Sequence, residues 1–477
     1  MNITISKTSE IPVDSSVIFL TESEEGLKGQ SFSPSEFEYI KNQAKDKKKS
    51  IQINSYFKWS YVEIIDTEKE QHIIKEKLRR AAGSLYSTLK ENKHEKIIII
   101  DLSKNAEYAL AFASGLALSH YQFLKYISKT DDKKNHLKEI YIYNSEVTEE
   151  QISELGILIE SVFHTKNLVN EPVTFLNAEQ FSTEIQNLGT EAGFQVEVFN
   201  KAKIESLKMG GLLAVNKGSI DPPTFSVLTW NPENAINDKP YVLVGKGVVF
   251  DTGGMNIKTG NYLDTMKSDM AGAAAVVGTI HAIAKAKIPV HVIGLIPATD
   301  NRLNGNAHVP DDVITMHDGT TVEIKNTDAE GRLILADALS FAKKYKPELV
   351  IDLATLTGSA QMAIGNLGII AVTNVKDDKF EQLKVSGNHV YERIVELPIW
   401  EEYGEMLKSD IADIKNLGGR EAGAITAGKF LEHFTDYPWI HLDIAGSAFL
   451  TTNDNYRGIG ATGIGVRLLF DFLNSQL

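Results

Sequence analysis

The sequence contains no cysteine. This absence excludes a disulfide scaffold, a thiolate metal site and a cysteine nucleophile. The sequence also lacks an apolar run long enough to span a bilayer, and its start, MNITISKTSEIPVDSS, has neither the basic residues nor the apolar core of a secretory signal. We therefore expect a cytoplasmic chain that is not bound to a membrane.

Several familiar catalytic and nucleotide-binding patterns are also missing or incomplete. The sequence contains neither HExxH nor GxSxG, so neither a histidine-based zinc protease nor an α/β-hydrolase is encoded in the usual way. GAITAGKF at residues 423–430 nearly fits a P-loop, but Phe430 stands where the magnesium-binding hydroxyl belongs. GIGATG at residues 458–463 fits the dinucleotide fingerprint, yet the 14 residues that follow are too few for the required βαβ unit.

The overall composition is that of a globular, acidic chain. Its 477 residues predict about two to three domains, and a hydrophobic share of 43% with 23% charged residues is typical of folded proteins. The net charge of -14 at pH 7 argues against a general attraction to nucleic acid.

The first part of the sequence alternates short apolar runs with helical periodicity, which predicts a smaller α/β domain. A long helical pattern at residues 149–168 should end before Pro172, because proline cannot continue a helix. We place the domain boundary there, with an accessory domain at residues 1–160 and a second domain at residues 161–477. A charged loop is predicted at residues 131–138. The other predicted strands and helices of this part are strands at 16–20, 61–65, 96–102 and 139–143, and helices at 73–89 and 106–124.

The second part has the pattern of a buried parallel sheet. The run YVLVGKGVVF at residues 241–250 is almost continuously apolar, as in a strand that is covered on both faces. Strands and helices then alternate, which predicts a mostly parallel doubly wound sheet flanked by helices. The further predicted elements are strands at 290–296, 321–326, 348–356 and 439–444, and helices at 270–286, 333–345 and 466–473.

The most informative stretch is NTDAEGRL at residues 326–333. It follows a β-prone run and precedes a helical one, so Asp328, Glu330 and Arg332 fall in a strand-to-helix turn, where open α/β sheets bind ligands. Acidic residues near the start of a helix also act as caps, and this alternative remains open for Asp328 and Glu330.

Two other turns of the same predicted sheet carry similar side chains. Lys246 interrupts the apolar run, Asp251 follows it, and Asp269 precedes a helix of small residues. The alternatives are an outward-pointing Lys246 at a bulge and a capping role for Asp269.

These side chains can converge at one edge of the sheet. Four carboxylates gathered there would repel one another and raise their own pKa values. Two divalent cations would cancel this charge, which predicts a binuclear carboxylate site that lowers the pKa of a bridging water. The cations would also lower the pKa of Lys246, so that its neutral amine can serve as a ligand. Lys258 and Arg332 remain as cations that would stabilise an oxyanion.

The sequence resembles the cytosol aminopeptidase family, and in particular its leucyl aminopeptidases. NTDAEGRL is the signature of that family, and VGKGVVFDTGGMNIK at residues 244–258 matches its other core segment. The resemblance covers residues 160–477 and identifies residues 161–477 as the catalytic aminopeptidase domain, whereas the first part matches the family's variable domain in size and general pattern only. Four further segments match: MKSDMAGAAAV from residue 266, DLATLTGS from 352, AGAITAGKFL from 422 and GATGIGVRLL from 460.

The resemblance implies a role for each residue of the site. Asp251 and Glu330 would bridge two metal ions, Lys258 would polarise the scissile carbonyl, and Arg332 would hold a bicarbonate that acts as a general base. The implied metal ligands are Lys246, Asp251, Asp269, Asp328 and Glu330, and the implied substrate-pocket residues are Met266, Asn326, Thr355 and Gly358.

The function implied by the resemblance is hydrolysis of the N-terminal residue, preferably leucine or another bulky apolar residue, from short peptides through a metal-bridging hydroxide. Zinc or manganese is the expected metal, with magnesium and cobalt as further options. The resemblance also implies a homohexamer. Two alternatives are a two-metal phosphoesterase, which would use similar carboxylates, and a DNA-binding regulator, which the charge of -14 disfavours.

Overall fold

The computed structural model of the chain describes residues 3–12, 14–56, 58–131, 133–144 and 146–477. The chain divides into two compact units, the first formed by Met1–Glu160 with Thr452–Gly458 and the second by Ser161–Thr451 with Ile459–Leu477. Residue 132 of the predicted charged loop lies outside the described residues.

Among its described residues, the first unit contains a six-stranded sheet in the order β1-β6-β5-β2-β4-β3. All neighbouring strands in it are parallel except β3 and β4, which pair antiparallel. Its strands are β1 (Thr4–Lys7), β2 (Val17–Thr21), β3 (Ser50–Asn54), β4 (Trp59–Ile64), β5 (Lys96–Asp101) and β6 (Glu139–Tyr143), and its helices are α1 (Pro34–Lys45), α2 (Gln71–Glu91) and α3 (Ala106–Ser119).

The four strands and two helices predicted for the first unit are present. Helix α1 was not predicted, although its start carries a local signal. Ser33 accepts a hydrogen bond from the backbone N–H of Glu36, and Glu36 accepts one from the backbone N–H of Ser33. This reciprocal capping box is visible in sequence as Ser-x-x-Glu. Helix α4 (Glu149–Asn170) crosses the division between the units and ends two residues before Pro172, as predicted.

The second unit is built on a larger sheet, whose described strands follow the order β16-β15-β18-β14-β9-β11-β8-β7, with β10 paired to β11. The neighbours β18, β14, β9 and β11 are parallel, whereas β7, β8 and β15 pair antiparallel with their inner neighbours. The strands of this sheet are β7 (Gln195–Phe199), β8 (Thr224–Trp230), β9 (Tyr241–Gly245), β10 (Gly247–Asp251), β11 (Val292–Asn301), β14 (Leu349–Ala354), β15 (Ile369–Thr373), β16 (Ile394–Glu396) and β18 (Trp439–Asp443).

Helices and short strands complete the second unit. The helices are α5 (Ala178–Ala192), α6 (Lys201–Ser206), α7 (Gly210–Asn216), α8 (Ala271–Lys285), α9 (Gly331–Ala342), α10 (Gly358–Ile364), α11 (Lys379–Val390), α12 (Glu402–Glu405), α13 (Gly423–Glu432) and α14 (Val466–Asn474). The short strands are β12 (Val313–Thr315), β13 (Thr321–Glu323), β17 (Ile414–Lys415), β19 (Phe449–Leu450) and β20 (Gly460–Ala461).

The two-domain α/β fold class is confirmed. Every residue of the central strands β9, β11 and β14 is buried, as expected for strands of a parallel sheet that is covered on both faces. The described part of the chain contains no helix with the length and the apolar composition that crossing a bilayer requires.

Helix α8 lies unusually close to the sheet. A Cβ atom on Gly272 would lie 2.0 Å from the backbone oxygen of Leu353 in β14, and one on Gly245 would lie 2.4 Å from the Cα of Ala273. Only glycine allows a helix backbone and a strand backbone to approach to this distance. The glycines therefore fix the position of the helix that begins just after Asp269.

We expect Gly272→Ala to destabilise the chain by about 1–3 kcal/mol, because the added methyl group would collide with a backbone oxygen that cannot rotate away. The measurement is the urea or thermal unfolding midpoint. Gly305→Ala is the matched control, since a Cβ atom there meets nothing within 4 Å. Equal midpoints for the two variants would contradict the close helix–sheet contact.

Candidate metal centre

Lys246 lies at the centre of the site and joins strands β9 and β10. Its backbone N–H donates to the oxygen of Leu353, and its own carbonyl accepts from Ala273 at the start of α8. The side chain is 3% exposed and therefore does not point outwards from a bulge. Gly331 leaves room for it, because a Cβ atom there would lie 2.4 Å from Cε of Lys246.

Asp251 and Lys258 are brought together by the turn that follows β10. Gly253 and Gly254 in this turn have φ values of +87° and +63°, which glycine adopts without strain. The turn folds back so that Nζ of Lys258 lies 2.7 Å from Oδ2 of Asp251. The other oxygen of Asp251 accepts hydrogen bonds from the backbone of Gly253 and from Nδ2 of Asn301, each at 2.8 Å.

Asp269 lies directly before α8, but it is not the cap of that helix, which is Met270. Its Oδ1 accepts from Nζ of Lys246 at 2.8 Å and from the hydroxyl of Thr355 at 2.7 Å. The carbonyl of Thr355 accepts from the same ammonium group at 2.9 Å. Thr355 follows β14 and Lys246 follows β9, so these contacts form at the carboxyl ends of adjacent parallel strands, where open α/β sheets bind ligands.

Asp328 and Glu330 lie in the turn that enters α9. Glu330 occupies the cap position, yet its side chain makes no capping hydrogen bond. It pairs with Lys246 instead, at 2.9 Å, while Asp328 pairs with Lys258 at 2.6 Å. These pairings, rather than helix capping, account for the position of the two acids.

The carboxylates form one cluster with two halves. Asp269 and Lys246 lie in one half, and Asp328 and Lys258 lie in the other. Glu330 belongs to both, since it pairs with Lys246 and has a carboxylate oxygen within 4.8 Å of those of Asp251 and Asp328. The structure thus brings the five predicted metal ligands and Lys258 together.

The two lysines are held in their charged form by the acids around them. Burial acts to lower the pKa of Lys246, but Asp269, Glu330 and Asp251 outweigh it and raise the pKa above its ordinary value. Burial likewise opposes, and Asp251, Glu330 and Asp328 cause, a raised pKa of Lys258. In the protein alone, two ammonium groups therefore provide part of the charge balance that cations would provide.

The pKa values of the carboxylates depend on their burial and on the charges of their neighbours. Burial raises the pKa of Asp269 to about 7, against the opposing effect of Lys246. Burial and the charge of Glu330 raise the pKa values of Asp251 and Asp328. The pKa of Glu330 is lowered, because Lys246 and Lys258 together outweigh its burial.

The cluster fits divalent cations. Four carboxylates face two ammonium groups, which leaves an excess of negative charge in a largely buried site. Oδ2 of Asp269 is buried and has no hydrogen-bond partner among the residues that the structure describes. Such an atom is costly unless a cation or donor occupies the space before it. Carboxylate oxygens suit magnesium, manganese and zinc, and a neutral lysine amine would add a nitrogen ligand.

Arg332 lies beside this cluster, on the first turn of α9. It is buried and donates from Nη1 to the carbonyl of Asn416 at 2.8 Å, while its Nε has no partner within the described part of the chain. Burial lowers the pKa of its guanidinium to about 10, in spite of Glu330 and Asp443, so the group stays charged at neutral pH. A buried guanidinium with a free donor is suited to a small anion such as bicarbonate.

Three residues that the sequence analysis did not single out hold the site together. Thr327 joins its two loops, since its hydroxyl donates to the carbonyl of Gly253 at 2.6 Å and accepts from the backbone of Asn256. Asn301 donates both to Asp251 and to the carbonyl of Thr327. Both ends of the side-chain amide of Asn416 bind the loop that carries Asp328. Its Oδ1 accepts from the backbone of residue 325 at 2.8 Å, and its Nδ2 donates to the carbonyl of residue 326 at 2.8 Å. An isolated asparagine or threonine carries no recognisable motif, apart from Thr327 within NTDAEGRL.

The predicted pocket residues occupy different positions around the cluster. Thr355 contacts Asp269 and Lys246 directly. Asn326 accepts a hydrogen bond from the backbone N–H of Asp328 at 2.8 Å. Met266 is half-buried in the 3₁₀ turn before Asp269. Gly358 is exposed at the start of α10, with open space where a Cβ atom would be. Their roles towards a substrate remain predictions.

Curated relatives share much of this sequence. A probable cytosol aminopeptidase of Chlorobium limicola is 46% identical over 388 residues, which are 78% of this chain and 76% of that protein. One of Chloroherpeton thalassium is 49% identical over 322 residues, which are 67% of this chain. The match spans 63% of the length of the Chloroherpeton protein.

Two solved structures have a similar fold over nearly the whole chain. A mutant of tomato leucine aminopeptidase is 26% identical, with a TM-score of 0.86 over 99% of this chain and 97% of that one. The bottromycin maturation enzyme BotP, in a complex with manganese, is 28% identical, with a TM-score of 0.85 over 97% of this chain and 99% of that one.

The sequence model of the cytosol aminopeptidase family, catalytic domain, matches residues 163–470. This range contains all the residues of the cluster described above, together with Arg332 and Asn416. The chain belongs to the cytosol aminopeptidase family.

Proposed function

We propose that this chain is a metal-dependent aminopeptidase that removes the N-terminal residue, preferably a leucine or another bulky apolar one, from short peptides. The observation that carries the proposal is the cluster itself, in which Glu330 links a half around Lys246 and Asp269 to a half around Lys258 and Asp328. Membership of the cytosol aminopeptidase family supports the same activity.

Two divalent cations, zinc or manganese with magnesium or cobalt as further options, would be held by Lys246, Asp251, Asp269, Asp328 and Glu330 and would supply a water activated at neutral pH and a Lewis acid. The BotP structure with manganese supports manganese as one of these ions. Thr355 and Asn301 orient two of the carboxylates by hydrogen bonds, which fixes the ligand geometry.

Lys258 and Arg332 would polarise the substrate and bind the general base. Lys258 lies at the mouth of the cluster with 15% of its side chain exposed, so it can donate to the carbonyl oxygen of a bound peptide and stabilise the negative charge that develops there. Arg332 would hold bicarbonate through its Nε, which would place a general base beside the cluster.

Short peptides are the proposed substrates, with Met266, Asn326, Thr355 and Gly358 lining the pocket for the first residue. We also propose a cytoplasmic location, in line with the names of the curated relatives.

We expect the full-length chain to hydrolyse leucyl anilides and amides, to lose this activity after chelation, and to regain it when manganese or zinc is restored. The reason is that the uncompensated carboxylates then recover their cations. Rates are measured for a panel of aminoacyl anilides, with nitrophenyl phosphate as the substrate of the alternative two-metal phosphoesterase. Cleavage of the phosphate ester alone, by a metal-loaded chain, would contradict the proposal.

Two substitutions separate metal binding from substrate polarisation. We expect Glu330→Gln to lose at least one metal ion per chain and all measurable activity, because it removes the carboxylate shared by both halves of the cluster. Lys258→Met should keep its metal, since Asp251 and Asp328 then lose a competing ammonium group, while kcat falls about 100- to 1000-fold.

The matched control is Glu233→Gln, which changes an exposed carboxylate in the same unit. Metal content by mass spectrometry and kcat are measured for all three variants. A fully active Glu330→Gln variant would show that the site is wrongly placed, and loss of metal in Lys258→Met would assign that lysine a structural role.

We propose a homohexamer as the assembled form, as the family resemblance implies. Light scattering should give the mass of six chains for the metal-loaded protein, and a monomeric mass at micromolar concentration would be evidence against this assembly.

A further inference from the structure

A second group of metal-ligating side chains lies in the second unit and shares no residue with the candidate metal centre. It consists of His164 on α4, Glu191 near the end of α5 and His281 on α8. The three residues come from three different helices, so the tertiary fold alone brings them together. Two imidazoles and one carboxylate are a ligand set that zinc sites in proteins use.

The distances are close to those of a coordination sphere. Nε2 of His281 lies 3.7 Å from Oε1 of Glu191, and Nε2 of His164 lies 4.0 Å from Oε2. One ligand atom from each residue lies within 4.8 Å of the others. Ligands of a tetrahedral zinc ion lie about 3.3 Å apart, given bonds of about 2.0–2.1 Å. Small side-chain rotations therefore suffice to bind an ion.

One of the imidazoles is already oriented. His281 is completely buried, and its Nδ1 lies 2.8 Å from the hydroxyl oxygen of Ser161, one turn before His164 on α4. If Nδ1 carries the proton and donates to this hydroxyl, Nε2 presents a lone pair towards Glu191. A hydrogen bond of this kind behind a histidine ligand fixes its tautomer and its ring orientation.

The carboxylate of Glu191 is ionised and can still bind a metal ion. Lys285 lies 2.7 Å from Oε1 of Glu191, and this hydrogen bond is the main cause of the lowered pKa of Glu191, against the opposing effect of burial. A carboxylate has about four lone-pair positions on two oxygens. The bond to Lys285 therefore leaves positions for a metal ion, and it resembles the outer hydrogen bonds that support many metal ligands.

The site is accessible from solvent on one side. The side chain of Glu191 is 40% exposed and that of His164 is 29% exposed, whereas His281 forms the buried floor. An ion can thus reach the two nitrogens and complete its coordination with water. Imidazole nitrogens select zinc, copper, nickel or iron over magnesium and calcium.

We propose that His164, Glu191 and His281 form an additional site for a divalent transition-metal ion such as zinc. The bound ion ties α4, α5 and α8 together at their surface. Helix α4 leads into the catalytic domain, and helix α8 begins two residues after Asp269. The ion therefore stabilises the helices that support the candidate metal centre, although it is not part of that centre.

The test compares the zinc content of the full-length wild type with that of His164→Asn and Glu191→Gln. Each protein is stripped with a chelator, loaded with zinc, desalted and analysed by mass spectrometry. Both variants should hold one zinc ion per chain fewer than the wild type. The controls are His433→Asn and Glu233→Gln, which change exposed residues outside the group and should match the wild type.

A spectroscopic readout on the wild type is independent of variant folding. The predicted ligands of the candidate metal centre include no histidine, so copper loaded into the additional site should show the nitrogen couplings of two imidazoles in pulsed electron paramagnetic resonance. The couplings of two imidazoles should be lost in His164→Asn, which keeps one imidazole of the group at most, and should be retained in the controls. Equal zinc content in wild type and variants, or copper spectra without imidazole couplings, would overturn the proposal, whatever the peptidase assays give.

Discussion

Mutual repulsion among buried carboxylates is the constraint on which the second unit depends. Asp251, Asp269 and Glu330 are buried, Asp328 is half-buried, and their oxygens converge at the carboxyl edge of the sheet. Such a group is stable only if positive charge is brought to the same place. The chain brings two lysines, and the remaining negative charge is what makes the site suitable for divalent cations.

Much of the surrounding fold serves to hold these charges in place. The glycines of α8 and β9 allow the helix to lie against the sheet, which sets the position of Asp269. Thr327, Asn301 and Asn416 tie together the loops that carry the other acids. Because these neighbours are uncharged hydrogen-bonding groups, they fix the geometry without altering the charge balance.

The sequence predicted the central strands of both units, part of their helices and most of the cluster. Apolar runs and helical periodicity located most of the central strands and several helices of both units, because these patterns are local, whereas strands β1, β3, β7, β8, β15 and β16 and helix α5 were not predicted. Helix α1 was missed despite its capping box at Ser33; Ile40 alone among its residues is fully buried. The long run predicted as a single strand is two strands, because Lys246 turns its side chain into the site between them.

Other features arise only from packing between distant segments. Asn301, the last residue of β11, and Asn416, which directly follows β17, belong to no motif, and the contacts of Asn416 join residues about ninety positions apart. The group of His164, Glu191 and His281 has no sequence pattern at all, since three separate helices supply one residue each.

The sequence by itself determined the fold class, the family and the chemical type of the site, because the charged residues are carried by short segments whose order and spacing are local properties. Only the tertiary structure decided the pairing of each lysine with its carboxylates and the place of Glu330 between the two halves. It also decided which neutral side chains support them. The physical reason is that charge balance and hydrogen-bond satisfaction are settled over a few ångströms of space, which the spacing along the chain does not specify.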